Sequence, residues 1–156
     1  MCLRIKVNRD LILTRFNKLD QLMENLLELK EIGKEDFLSN YKNYFTAQRA
    51  LEISINICID IGNHIVTLNN KEKPETFTDI IEILAKHEII SNELKTHFIK
   101  MVRFRNLLGH FYLEIDNNII YNILQNNLKN FDSFKEAILR KFKNNLLGNS
   151  NKENST

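Results

Sequence analysis

An all-α bundle is the fold class this sequence predicts, and three observations carry the prediction. One proline and four glycines in 156 residues leave too few breakers for a sandwich or barrel, which needs turn residues about every 8–12 positions. Apolar residues recur at steps of three and four over most of the chain, the period of a helix with one buried face. A hydrophobic share of 43% and a charged share of 27% are those of an ordinary globular chain. The length corresponds to one domain at about 150 residues per domain, and folding at this size buries about 68–70% of the unfolded surface.

The first element is a helix whose stripe is Ile12, Phe16, Leu19, Met23 and Leu26, with Gly33 just past its end. Between Glu35 and Leu68 lies one ambiguous stretch, LEISINICIDI, whose apolar residues alternate as in a half-buried strand. No Gly or Pro bounds it, however, and Tyr41, Phe45 and Gln48 before it and Ile65 and Leu68 after it keep a helical step. Glu52, Asn56, Asp60 and His64 fall at i, i+4 spacing, one polar stripe on an otherwise apolar helix. That pattern predicts a long central helix. NNKEKPETF holds the only proline, Pro74, and reads as a connection to a short helix from a Thr78 cap to about Lys86. Ser91 caps the next helix, with Leu94, Phe98, Met101 and Leu108 as its buried stripe. Ile120, Leu124, Leu128, Phe131, Phe134, Ile138 and Phe142 keep a helical phase from 117 to 147, with Asp132 and Ser133 as a point where it could break. The sum is a bundle of four long helices plus a short one, residues 1–147. GNSNKENST, residues 148–156, reads as a disordered polar tail.

Lys plus Arg number 22 against 20 for Asp plus Glu, a net charge of +2, so the chain does not hold nucleic acid by overall charge and any RNA contact is local. Cys2 and Cys58 form no disulfide framework or zinc-type spacing, and Cys58 reads as a small buried apolar residue. The opening MCLRIKVNRD lacks a signal-peptide apolar run, and no window of about 18 apolar residues is expected to span a membrane. These features together predict a cytoplasmic chain with reduced thiols. His64, His87 and His97 show no HxxxH-type pairing, so no metal site is expected.

One residue of the 91–108 helix is out of place. Arg105 lies seven residues after Phe98, four after Met101 and three before Leu108, on the apolar stripe. A guanidinium there needs a partner, a cleft or a subunit interface. Gly109 is a natural helix stop, and ending the helix there frees His110 to turn back toward Arg105. An imidazole that exchanges protons near neutral pH beside a permanent forked cation suits RNA cleavage without a metal: a base takes the 2′-OH proton, the oxygen attacks the adjacent phosphate, and the cation meets the growing charge. The structural reading stands beside it, with Arg105 paired inside the bundle, for example to Glu52 or Asp60, His110 a satisfied helix-terminal histidine and Tyr112 a half-buried aromatic; the stripe Glu52, Asn56 and Asp60 holding Arg105 in position would make the two readings compatible. Arg49 reads first as a partner for Glu52 and second as a residue lining the cleft, and Lys100 and Arg103 either as phosphate contacts or as part of a solvated face.

MVRFRNLLGHFYLEID resembles the signature RNxxxHxY of the HepT family of HEPN-domain ribonuclease toxins, with Arg105, Asn106, His110 and Tyr112 in place. NYFTAQRALEISINICIDIGNHIV resembles that family's long second helix, and KPETFTDIIEILAKHEII its connection and short helix; the likeness covers roughly residues 10–145. Gly109 departs from the Val often found before the histidine. The resemblance implies a HEPN-type bundle in which LEISINICIDI is helical, and a metal-independent endoribonuclease without a cofactor. It further implies a homodimer in which Arg105 and His110 of both copies form one site, with Asn106 shaping the turn. RNA, tRNA included, is the implied substrate, and the implied partner is an MntA-type nucleotidyltransferase antitoxin that transfers AMP from ATP onto Tyr112. A phosphate added there would compete with RNA for a cationic cleft. The competing functions are a non-catalytic helical module that binds such a nucleotidyltransferase, which the intact signature disfavours, and a purely structural dimer-forming bundle.

Overall fold

The computed structural model describes residues 7–69, 72–110 and 114–146. Its helices are, in chain order, α1 (Arg9–Lys30), α2 (Lys34–Ser39), α3 (Tyr41–Asn69), α4 (Phe77–Lys86), α5 (Asn92–Leu108), α6 (Asn117–Asn126), α7 (Lys129–Lys141) and α8 (Lys143–Leu146), with no strand among the described residues. The fold is all-α, as the sparse breakers and helical periodicity require.

α3 is the centre. It packs against α1, α2, α4, α5, α6 and α7, and LEISINICIDI lies inside it as helix. Leu51, Ile55, Cys58, Ile61, Ile65 and Val66 are buried there, whereas Glu52, Asn56 and His64 are half-buried and Asp60 is exposed, which is the polar stripe on an apolar helix that the spacing predicts. The helix is long and apolar enough, by length and composition, to cross a bilayer, so the expectation that no segment qualifies undercounts it. Its apolar residues are nonetheless those of a core helix, covered by neighbours on most sides. Cys58 is fully enclosed, and burial drives its thiol pKa far up, leaving it an inert packing group. Cys2 lies outside the described residues.

Local chemistry sets the helix ends. Asn8 caps α1 by accepting from the backbone N–H of Leu11, and its own N–H donates to Nε2 of His64 at 2.9 Å. The central region starts with a separate short helix, because Asn40 takes an extended backbone between α2 and α3. α4 is capped by Thr76, two residues before the expected Thr78. Thr76 Oγ1 accepts from the Asp79 N–H at 3.1 Å and Asp79 Oδ2 accepts from the Thr76 N–H at 2.8 Å, a reciprocal box whose hydrogen bonds hold the Asp79 carboxyl below its usual range. Ser91 caps α5 as expected.

The expected fourth long helix is three pieces. The break falls at Asn127–Leu128 and again at Phe142, and Asp132 sits inside α7. The apolar phase nevertheless persists, since Ile120, Leu124, Leu128, Phe131, Phe134, Ile138 and Phe142 are all buried. The expected 148–156 tail lies outside the described residues.

Candidate active site

Arg105 sits in the last turn of α5, half-buried, where its apolar register turns it toward α3. Its Nε donates to Oδ1 of Asn56 at 2.7 Å, and the guanidinium carbon lies 5.3 Å from the centre of the Phe77 ring. The expected ion pair with Glu52 or Asp60 is not what forms. Glu52 accepts from Arg49 at 2.9 Å, the pairing anticipated for Arg49, and Asp60 lies 3.8 Å from Arg15. Among the described residues no carboxylate forms a salt bridge with Arg105.

Beyond Arg105 the helix tightens rather than swings away. The Gly109 N–H donates to the Arg105 carbonyl at 3.1 Å, still the four-residue bond of an α-helix, and the His110 N–H to the Leu107 carbonyl at 3.1 Å, a three-residue bond that tightens the final step. Gly109 keeps right-handed torsions (φ −69°, ψ −14°), so its left-handed freedom goes unused, and a Cβ there would meet only the Asn106 carbonyl at 3.4 Å and that of Arg105 at 3.8 Å. A single added methyl would therefore find ordinary contacts. His110 and Asn106 are exposed, and His110 lies just past the C-cap of α5. Tyr112 lies outside the described residues.

The chain leaves α5 beside Asn56, and α6 begins where Gln48 Nε2 donates to Asn117 Oδ1 at 2.9 Å. Both ends of the connection that carries His110 and Tyr112 are thus tied to one face of α3, two turns apart. That same face starts with exposed aromatics: Tyr41 is 58% and Phe45 57% exposed, their rings 6.2 Å apart edge to face. The helical step through Tyr41 and Phe45 thus marks an outward stripe, where an inward one would be the usual reading. Phe77, at the first position of α4, carries no signal in the sequence that would place it under Arg105.

Other candidates stand apart. Lys100 and Arg103 are exposed. His64 accepts from Asn8, and burial together with Arg15 lowers its pKa, as suits a neutral acceptor. No group of three or more His, Cys, Asp or Glu side chains among the described residues is arranged to hold a metal.

A family model described as "Ribonuclease HepT-like" matches residues 17–138, a span that includes Arg105 and His110. The chain belongs to the ribonuclease HepT-like family. Among HepT relatives, the mRNA nuclease HepT of Shewanella oneidensis is 31% identical over 104 residues, covering 64% of this chain and 78% of that one. The tRNA nuclease HepT of Aphanizomenon flos-aquae is 25% identical over 128 residues, 82% of this chain and 87% of that one. A solved structure of a tri-AMPylated Shewanella oneidensis HEPN toxin in complex with MNT antitoxin superposes with a TM-score of 0.79 at 24% identity, over 85% of this chain and 99% of that one. That structural likeness speaks for a shared fold, the HEPN bundle.

Proposed function

We propose that this chain is a metal-independent endoribonuclease toxin, acting as a cytoplasmic homodimer and neutralised by an MntA-type nucleotidyltransferase that transfers AMP onto Tyr112. The observation that carries the reading is Arg105: a guanidinium held at a helix end, free of any carboxylate among the described residues, five residues before an exposed histidine. A structural arginine on an apolar stripe would be expected to carry a counter-charge. This one keeps its charge for an anion.

In the proposed reaction His110 takes the proton of an RNA 2′-OH, and the oxygen attacks the adjacent phosphorus. The bond to the 5′-oxygen breaks, leaving a 2′,3′-cyclic phosphate, and the leaving oxygen takes a proton from the imidazolium of the second copy. Arg105 meets the charge gathering on the phosphate oxygens with its terminal N–H groups. Asn106 serves the turn between the two. Family membership supports an RNA substrate; the named relatives act on mRNA and on tRNA. The exposed Tyr41 and Phe45 on the face that receives Arg105 support pairing of two copies there. The domain comprises residues 1–147.

The test is RNA degradation by the purified chain in EDTA. Wild type should cut, and Arg105→Ala and His110→Ala should not, with far-UV circular dichroism unchanged. Cleavage that survives both substitutions would make the motif structural, and loss of wild-type activity on adding EDTA would point to a metal-dependent nuclease.

A further inference from the structure

The guanidinium of Arg105 is held by two uncharged groups. Asn56 takes the inner donor, Nε, at 2.7 Å, and Phe77 lies against the planar carbon at 5.3 Å. Among the described residues no other side chain bonds the guanidinium, which leaves the four N–H bonds of its two terminal nitrogens as a fork. The same face of α3 offers two carboxylates at helical spacing from Asn56, Glu52 and Asp60, and each is engaged by another arginine, Arg49 at 2.9 Å and Arg15 at 3.8 Å. Glu52 is additionally sheltered, its side chain only 12% exposed under Arg49.

The difference between an amide and a carboxylate at position 56 decides what Arg105 can do. A carboxylate would bind the guanidinium by a charge-assisted, often bidentate pair, occupy part of the fork and cancel the charge that a phosphate needs. An amide oxygen accepts one hydrogen bond, fixes the rotation of the guanidinium plane and leaves the charge whole. The aromatic ring adds attraction through its negative face, again without counter-charge.

We infer that Asn56 is a positioning residue for the cleavage reaction, acting through Arg105 as a charge-neutral clamp with Phe77 beneath it. This role rests on the ribonuclease reading. It makes position 56 sensitive to a change of one atom: Asn56→Asp keeps size and acceptor but turns the clamp into an ion pair.

The test measures kcat and KM for an oligoribonucleotide with the full chain, and in parallel follows the Arg105 Nε–H resonance and its solvent exchange by NMR of arginine-labelled protein. Asn56→Ala should lower kcat on the order of 100-fold, the cost of a misplaced catalytic group, and should speed Nε–H exchange while thermal stability and helicity stay close to wild type. Asn56→Asp should keep the Nε–H protected yet lower kcat and raise KM, a combination that a merely structural role would not produce. Phe77→Leu should cost about two- to fivefold. If wild type cuts RNA and both Asn56 variants cut within threefold of it, or if the Nε–H of Asn56→Ala stays as protected as in wild type, the clamp is wrong while the ribonuclease reading stands. A wild type that leaves RNA intact overturns the ribonuclease reading and the clamp's role with it.

Discussion

Two glycines, one inside α3 and one capping α5, should answer the same substitution with opposite signs. A Cβ added to Gly62 in the middle of α3 would sit 2.8 Å from Cγ2 of Ile80 and 3.0 Å from Cδ1 of Leu84 on α4. Carbon atoms rest at about 3.5–4.0 Å, so α4 would have to retreat by the better part of an ångström or the side chains leave their rotamers. Ile80 is 4% exposed and Leu84 fully buried, and the Ile80 methyl hangs on a branched carbon with one preferred rotamer in a helix. Overpacking of this kind costs about 1–3 kcal/mol, against a gain of about 0.8–1.0 kcal/mol from replacing Gly by Ala in a helix. Gly62→Ala should therefore destabilise modestly. Gly62→Val, which adds two more carbons and forgoes most of the propensity gain, should lose about 2–3 kcal/mol. At about 2–4 °C per kcal/mol for a chain of this size, the valine variant should melt lower by roughly 5–10 °C. Gly109→Ala, with right-handed torsions and its nearest neighbour at 3.4 Å, should instead gain about 0.4–1 kcal/mol by restricting the unfolded chain. Thermal melts followed by circular dichroism decide it. A Gly62→Val variant that melts no lower than wild type would refute the close approach of α3 and α4, and a Gly109→Ala that falls as far as Gly62→Ala would refute the open, right-handed cap at the end of α5. The contact matters for function because α4 also presents Phe77 to Arg105.

Tyr112 is the proposed switch: incubation with the cognate nucleotidyltransferase and ATP should add AMP to it, seen by peptide mass spectrometry, with loss of cleavage because new phosphate charge and bulk meet the cationic site. Tyr112→Phe should keep at least part of the cleavage and escape silencing; silencing equal to wild type would mean inhibition by binding alone. Phe45→Glu should convert a dimer seen by light scattering into monomers, and an unchanged mass would remove the Tyr41–Phe45 face from the interface. His64 gives a pH dependence: its folded pKa lies below the ordinary 6.5 because of burial and Arg15, so the unfolded chain binds the proton more readily. Its contribution is complete above about pH 6.5 and is lost as pH falls through the folded value. The melting temperature of His64→Gln should thus drop less than wild type's between pH 7.5 and 5.0; parallel slopes would show that His64 does not anchor the start of α1.

The bundle was legible because its signals are local. Helical phase, the Ser91 cap and the polar stripe of α3 each depend on residues within a few turns, and each appears in the structure where the sequence puts it. The breaks were harder. The fourth long segment keeps its apolar phase across Asn127–Leu128 and Phe142, so no periodicity count could find the interruptions; packing against α1, α3 and α5 holds the pieces instead. Tyr41 and Phe45 mislead for the same reason, since periodicity finds a face of a helix but does not say which side of it is wet.

Arg105 shows where sequence reasoning about a site stops. Its position among apolar residues marks it as needing a partner, and three polar residues of α3 stand at equal helical intervals to supply one. Spacing cannot choose among Glu52, Asn56 and Asp60. Coulomb attraction alone would choose a carboxylate, yet the amide holds the arginine, because each acid already has a cation: Arg49 lies three residues before Glu52 on α3 itself, and Arg15 reaches Asp60 from α1. The first of those pairings is local and could be anticipated; the second depends on how α1 docks. Which charge remains uncancelled is therefore a property of the assembled bundle. An exchange such as Arg49→Glu, which frees Glu52 and adds a second acid one turn away, should draw Arg105 off Asn56 and weaken RNA binding without touching any residue of the RNxxxHxY signature. Unchanged KM in that variant would show that competition among the arginines does not set the charge of the site.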